Sequence, residues 1–143
     1  MEVTLDPGRI GVFTDLLDAL PAARAVETVA ELESMGYGAV WFPETLGRDA
    51  LVHAGLLLGG SERIVVATGI ANIYARDAVT MANGARTLAE AYPDRFLLGI
   101  GVSHEPLVSG VRGHDWGRPI TYLRRYLEAM AGAPYSAYRP ESD

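Results

Sequence analysis

Short apolar runs recur along the chain at intervals of about 30 residues, the length of one βα unit. They are Arg9-Ile10-Gly11-Val12-Phe13, Ala39-Val40-Trp41-Phe42, Ile64-Val65-Val66-Ala67-Thr68-Gly69-Ile70 and Phe96-Leu97-Leu98-Gly99-Ile100-Gly101. Their β-branched and aromatic content, nearly continuous rather than alternating, predicts strands covered on both faces. Helical patterns fill the gaps. Pro21 suits a first turn, Ala23, Val26, Val29 and Ala30 form an apolar stripe, and Gly36 can close the helix in a left-handed conformation. Asp49 caps a helix over Ala50 to Leu58, closed by Gly59-Gly60, and Asp77 caps another over Ala78 to Ala91, stopped by Pro93. Pro119 opens a last helix whose Ile120, Leu123, Leu127 and Met130 are expected to face a core.

The string β-α-β-α-β-α-β-loop-α predicts parallel strands joined by crossover helices. Two architectures fit it, a doubly wound open sheet or part of a (β/α)8 barrel. The doubly wound dinucleotide fold expects Gly-x-Gly-x-x-Gly after the first strand, and Phe13-Thr14-Asp15-Leu16-Leu17 has nothing of that kind. Gly99-x-Gly101 follows the fourth strand, but His104 stands where the third glycine belongs. A complete (β/α)8 barrel takes about 250 residues. The chain has 143, so residues 1–143 read as a single domain of half-barrel size.

Composition narrows the function classes. The formal net charge of −6 argues against nucleic-acid binding, which needs a basic surface. Zero cysteines exclude disulfides, thiolate metal sites and cysteine nucleophiles. No leader pattern opens the chain, and no apolar run reaches the ~18 residues of a membrane span. No membrane partner and a cytoplasmic location are therefore the expectation.

In parallel α/β proteins, chemistry gathers at the strand C-termini and the loops after them. That rule sets aside Glu62-Arg63 and Tyr92-Pro93-Asp94-Arg95 as turn-making surface residues. It brings forward Glu44-Thr45 after strand two, Thr68 to Asp77 after strand three, and Ser103-His104-Glu105 after strand four. Asp15 after strand one joins them less securely. His104 is the only imidazole in such a position, suited to proton exchange near neutral pH, or else a plain loop histidine. His53 reads as a structural histidine within a helix and His114 as a solvated loop residue. No two histidines have ligand spacing, so no metal is expected. Ser103 beside His104 makes no triad, since neighbours on an extended segment point apart. Thr68 and Asn72 offer hydrogen bonds, Ile70 an apolar surface, and Arg76 a cation for phosphate or carboxylate unless it pairs with a nearby acid.

Taken in order, these residues resemble the luciferase-like flavin and deazaflavin oxidoreductases, particularly the coenzyme F420-dependent branch. The resemblance rests on Glu31-x-x-x-Met35-Gly36-Tyr37 leading into Val40-Trp41-Phe42-Pro43-Glu44, and on Thr68-Gly69-Ile70 with Arg76 downstream. It continues through Tyr92-Pro93-x-Arg95-Phe96-x-Leu98-Gly99-Ile100-Gly101-Val102-Ser103-His104 and Trp116-x-x-Pro119…Tyr126-Leu127-x-Ala129-Met130. It implies a (β/α)8 TIM-type barrel, here about the first four βα units, with the cofactor ring at the strand C-termini. The cofactor is coenzyme F420, or alternatively FMN. The resemblance also implies that Glu44 and Thr45 lie beside the ring, Thr45 standing where related enzymes carry an acid/base histidine. It places a bulge after strand three with a non-prolyl cis peptide at Gly69-Ile70, Ile70 backing the ring, and room for the cofactor over Gly99 and Gly101, next to Val102 and Ser103. Threonine is no general base at neutral pH, so proton handling passes to His104, Glu44 or water.

The implied activity is hydride transfer between F420 and a small organic substrate, by an enzyme or the N-terminal half of one. An FMN-dependent monooxygenase and a non-catalytic flavin-binding or scaffold protein are the alternatives. Four parallel strands also leave open edges and an open inner face. Pairing with a second copy or with a complementing C-terminal fragment is therefore expected.

Overall fold

The computed structural model describes residues 5–137. The outer ends of the single-domain reading, residues 1–4 and 138–143, lie outside them, as does the start of the chain on which the expectation about a leader rests. Strands β1 (Gly11–Phe13), β2 (Ala39–Phe42), β3 (Val65–Thr68) and β5 (Phe96–Leu97) form a parallel sheet in the order β1-β2-β3-β5. A second, two-stranded parallel sheet pairs β4 (Ala71–Asn72) with β6 (Ile100–Gly101). Strand order follows chain order with no reversal, as in a (β/α)8 barrel and unlike a doubly wound sheet. The chain forms a half-barrel of the TIM type.

The helices are α1 (Ala22–Ser34), α2 (Ala50–Gly59), α3 (Ala78–Ala91) and α4 (Pro119–Ala131). Their ends are set by the residues the sequence marks. Gly36 takes φ +91°, so that Tyr37 N–H donates to Leu32 O and Gly36 N–H to Glu33 O, a Schellman closure of α1. Asp49 Oδ1 accepts from the amides of Leu51 and Val52, both at 3.0 Å, and Asp77 accepts from Thr80 N–H at 2.8 Å. Alternation along the strands turns Val40, Phe42 and Val66 toward the helices, where they join Ala54, Leu57 and Met81 in the main core. The opposite, inner face carries Phe13 and Leu97, which stay exposed, and the half-buried Trp41.

Four expectations change. The runs 64–70 and 96–101 each split in two, at Gly69-Ile70 and at Leu98-Gly99. The α1 stripe uses Ala25 and Val29, whereas Ala23 is exposed. On α4 the inward stripe is Leu123, Tyr126 and Met130, at i, i+3 and i+7, while Ile120 and Leu127 face outward. Among the described elements α4 packs chiefly on α3, so a single narrow stripe suffices. Arg95 does more than decorate a turn: its guanidinium donates to Ser61 Oγ at 2.7 Å and reaches the Ile64 carbonyl.

Glu33 ties the bottom of the sheet. Its carboxylate accepts the amides of Glu62, Arg63 and Ile64 at the entry to β3, the last two at 2.6 Å. Burial alone raises its pKa, but those three amides outweigh it and hold the carboxyl below its ordinary value.

His53 is buried on α2 against Phe42, ring centroids 4.7 Å apart, with Nδ1 3.6 Å from Asp18. Burial, helped by the Arg48 charge and opposed by Asp18, depresses its pKa below the ordinary 6.5. The unfolded chain thus takes up this proton first as pH falls. Stability from the neutral His53 is complete above about pH 6.5–7 and declines below it. Urea titrations between pH 7.5 and 5.5 are expected to show that decline in the native sequence and a flatter profile in His53→Leu. Equal slopes would remove His53 as the cause.

Candidate functional site

Three loops converge at the C-terminal rim of the strands, those after β2, β3 and β6. Glu44, just past β2, is buried with its carboxylate fully engaged. Oε1 accepts from Ala50 N–H at 3.1 Å and Oε2 from Asn72 N–H at 2.7 Å. The Arg76 guanidinium closes on both oxygens, through Nη1 at 3.0 Å and through Nη2 to Oε1. Arg76 Nη2 also reaches Asp49 Oδ2 at 2.8 Å. Side-chain exposure of 6% for Arg76 and 3% for Glu44 makes this a desolvated pair. Burial works against the Arg76 charge, yet the bonds to Glu44 and Asp49 prevail and raise its pKa. Asp49 is pushed up by burial, but the Val52 amide and Arg76 carry it below its ordinary value.

The cluster grips the segment from Gly69 to Asn72 on both sides. Glu44 N–H donates to Ile70 O at 3.1 Å while the Glu44 carboxylate receives Asn72 N–H. The Gly69-Ile70 peptide, immediately before the first of these contacts, is cis. Asn72 is fully buried; its Oδ1 accepts from Tyr74 N–H, and its Nδ2 has no partner among the described residues.

Several expected ligand contacts turn out to be contacts within the chain. Thr68 Oγ1 donates to Gly99 O at 2.8 Å and accepts from Gly99 N–H at 2.9 Å, so the Thr68 hydroxyl locks β3 to the start of β6. The glycines at 99 and 101 are required by the chain's own packing. A Cβ on Gly99 would fall 2.2 Å from Thr68 O, and one on Gly101 2.8 Å from the Ile70 side chain, so the chain itself needs that room. Arg76 takes the alternative left open for it, pairing with acids, though with Glu44 and Asp49 rather than Asp77.

The part of the rim that remains open is flat and partly apolar. Phe13 is 64% exposed, its ring within contact distance of a Cβ position on Gly69, and Trp41 lies across Gly11. Ile70 is half-buried beside Gly101. Across from them, the amides of Val102 and Ser103 make no hydrogen bond among the described residues, and Ser103 adopts φ +63°. His104 is exposed, its carbonyl receiving the amides of Leu107 and Val108 at the start of a π-helical turn over Pro106–Val111. Thr45 is exposed, and its carbonyl accepts from Arg112 at 3.4 Å, joining the β2 loop to the end of that turn. An apolar wall facing free backbone donors fits a planar heteroaromatic ring with polar edges. Phe13 and Trp41 were missed as rim residues because continuous apolar strands hide which face each side chain takes. Among the described residues no three His, Asp or Glu gather as metal ligands, and no helix is long and apolar enough to cross a membrane.

Arg76→Met is expected to strand the Glu44 carboxylate and cost about 3–5 kcal/mol of stability, read by chemical denaturation. A loss below about 1 kcal/mol would mean that water reaches the pair and screens it.

Comparison with known proteins places this geometry. The chain is 28% identical over 122 residues to a protein of Mycobacterium tuberculosis named as a coenzyme F420-dependent oxidoreductase, covering 85% of this chain and 35% of that one. It is 27% identical over 101 residues to the 5,10-methylenetetrahydromethanopterin reductase of Methanolobus tindarius, covering 70% and 31%. The chain therefore spans about a third of the length of these curated relatives. Among solved structures, it matches an F420-dependent secondary alcohol dehydrogenase bound to an F420-acetone adduct, with a TM-score of 0.75 and 19% identity over 85% of this chain and 40% of that one. An FMN complex of the oxygenating constituent of 3,6-diketocamphane monooxygenase from Pseudomonas putida matches at 0.70 and 14%, over 84% and 37%. The model of the luciferase-like monooxygenase family matches residues 6–138, and the chain belongs to that family.

Proposed function

We propose that this chain supplies the first four βα units of an F420-dependent oxidoreductase, with the cofactor ring lying on the rim between Ile70 and the Val102–His104 segment. The observation that carries this reading is the rim itself. A clamped backbone segment, an apolar wall and free amides converge there, in a chain whose relatives include proteins named for F420. When bound, the deazaflavin supplies a two-electron hydride carrier. The residues around it position and protect. Ile70, backed by Gly101, and the exposed Phe13 form an apolar bed that excludes water, the amides of Val102 and Ser103 offer donors to the ring's polar edge, and Thr45 borders the opening. Glu44, Asn72 and Arg76 act behind the ring by holding the backbone of residues 69–72.

A hydride transfer also leaves one proton to be moved. Glu44 has both oxygens committed, and Thr45 cannot ionise near neutrality, so we assign proton handling to an imidazole nitrogen of His104. The FMN-bound neighbour supports FMN as the second cofactor reading. The substrate pocket, small-molecule in either case, would be completed by the other half of the barrel, from a second copy or from a C-terminal half. The exposed Phe13 and Leu97 on the inner face and the outer edges of β1 and β5, unpaired among the described residues, support that completion.

Titration with F420 and with FMN, followed by absorbance and fluorescence, tests the cofactor. F420 is expected to saturate the site and FMN to bind more weakly; no saturation by either at about 1 mM would end the proposal. In the assembled enzyme His104→Gln is expected to lower turnover about a hundredfold while leaving F420 affinity within about twofold, as for loss of a general acid/base. Unchanged turnover would return His104 to the role of a loop residue.

A further inference from the structure

A cleft with mixed polar and aromatic walls lies between the loop that precedes α4 and the segment after β4. Its volume is about 450 Å³. Tyr74 and Trp116 stack, ring centroids 5.7 Å apart, and Tyr122 closes on Tyr74 at 4.8 Å. The Tyr74 hydroxyl donates to Trp116 O at 3.0 Å, which fixes the loop against the β4 side. This gives the cleft a rigid aromatic wall.

The facing wall is cationic. Thr121, Tyr122 and Arg125 fall at i, i+1 and i+4 on α4, Arg118 stands at its N-cap, and all four line the cleft. Neither Arg118 nor Arg125 has an acidic partner or a hydrogen-bond acceptor for its guanidinium among the described residues. The other arginines near the rim are differently placed. Arg76 is locked to Glu44 and Asp49, Arg48 donates to Leu17 and Leu20 carbonyls, and Arg112 reaches Thr45. In a chain of net charge −6, four of the twelve basic residues, Arg112, Arg118, Arg124 and Arg125, fall within residues 112–125. The one carboxylate on the cleft, Asp115, is turned back on its own loop, Oδ1 accepting Gly117 N–H at 3.0 Å.

Two guanidinia lining one cleft, at the N-cap and the second turn of α4 with a threonine hydroxyl on the same lining, are donors without acceptors among the described residues, the groups that bind oxyanions. An aromatic wall beside them gives a flat apolar body a place to lie. We propose that this cleft binds an aryl oxyanion, a planar ring carrying a phosphate or carboxylate, with the anion on Arg118 and Arg125 and the ring against Tyr74, Trp116 and Tyr122. The site stands on α4 and its preceding loop and does not depend on the cofactor reading.

Phenyl phosphate and benzoate, titrated without cofactor, separate the two anion types, and inorganic phosphate tests the contribution of the ring. The indole N–H signals of Trp116 and Trp41 in nitrogen–proton correlation spectra provide the readout. The expected result is a saturable shift of the Trp116 signal with a Trp41 signal that stays in place. Arg118→Gln and Arg125→Gln should each weaken binding about tenfold, while Arg124→Gln, exposed on the same helix but off the cleft, should change it less than about twofold. Melting midpoints of the three variants confirm that the fold is kept. Three results would overturn the assignment: no saturation by about 20 mM of either aryl probe, equal weakening by Arg124→Gln, or inorganic phosphate binding as tightly as phenyl phosphate. Each of these leaves the F420 titration unaffected, so the two proposals fail separately.

Discussion

One desolvated ion pair organises the rim. Two charges removed from water are tolerated only when their hydrogen-bonding capacity is filled, and Glu44 and Arg76 fill each other's. The fork of a guanidinium matches a carboxylate in a way an ammonium does not, which suits an arginine to this position. Several features of the rim are tied to that pair. Through the Glu44 oxygens it reaches the amides of Ala50 and Asn72, through Arg76 it reaches Asp49, and through the Arg76 carbonyl it receives the Tyr126 hydroxyl at 2.8 Å. Helices α2 and α4 and the segment after β3 are thereby referenced to a single point. Burial, opposed by the Arg76 charge, also holds the Tyr126 hydroxyl protonated well beyond the ordinary tyrosine range.

Asp49 carries two duties in this arrangement. One of its oxygens caps α2 and the other pairs with Arg76, so the start of α2 and the shape of the β3 loop share a side chain. Substitutions at Asp49 and Arg76 therefore fall within one network and do not add independently.

Much of this was legible in the sequence, for identifiable reasons. Helix boundaries announce themselves through local chemistry, and Gly36, Asp49, Asp77, Pro93 and Pro119 each act where they stand. The order of the strands follows from the βα period, and the rim from the rule that loops after parallel strands carry chemistry. The roles within the rim were harder to read, because they depend on contacts across about 30 residues of chain. Nothing local distinguishes a Thr68 that offers its hydroxyl to a ligand from one that commits it to Gly99. Nor does a glycine reveal whether a ligand or the chain's own carbonyl occupies the missing Cβ. The α4 stripe differs from expectation because Tyr126, with an apolar ring and a hydroxyl bonded to the Arg76 carbonyl, turns inward, while Ile120 and Leu127 stay out.

The Thr68–Gly99 exchange has a mechanical side. By tying the end of β3 to the residue that opens β6, it makes the last two residues of the fourth strand travel with β4 rather than with β5. Regular pairing ends at Gly101, beyond which Ser103 at φ +63° and the π-helical turn over Pro106–Val111 interrupt regular structure. The rim below Gly101 is held by regular pairing, and the wall that carries His104 is irregular. Such a division keeps one face of a ligand fixed while the opposite face opens and closes around it.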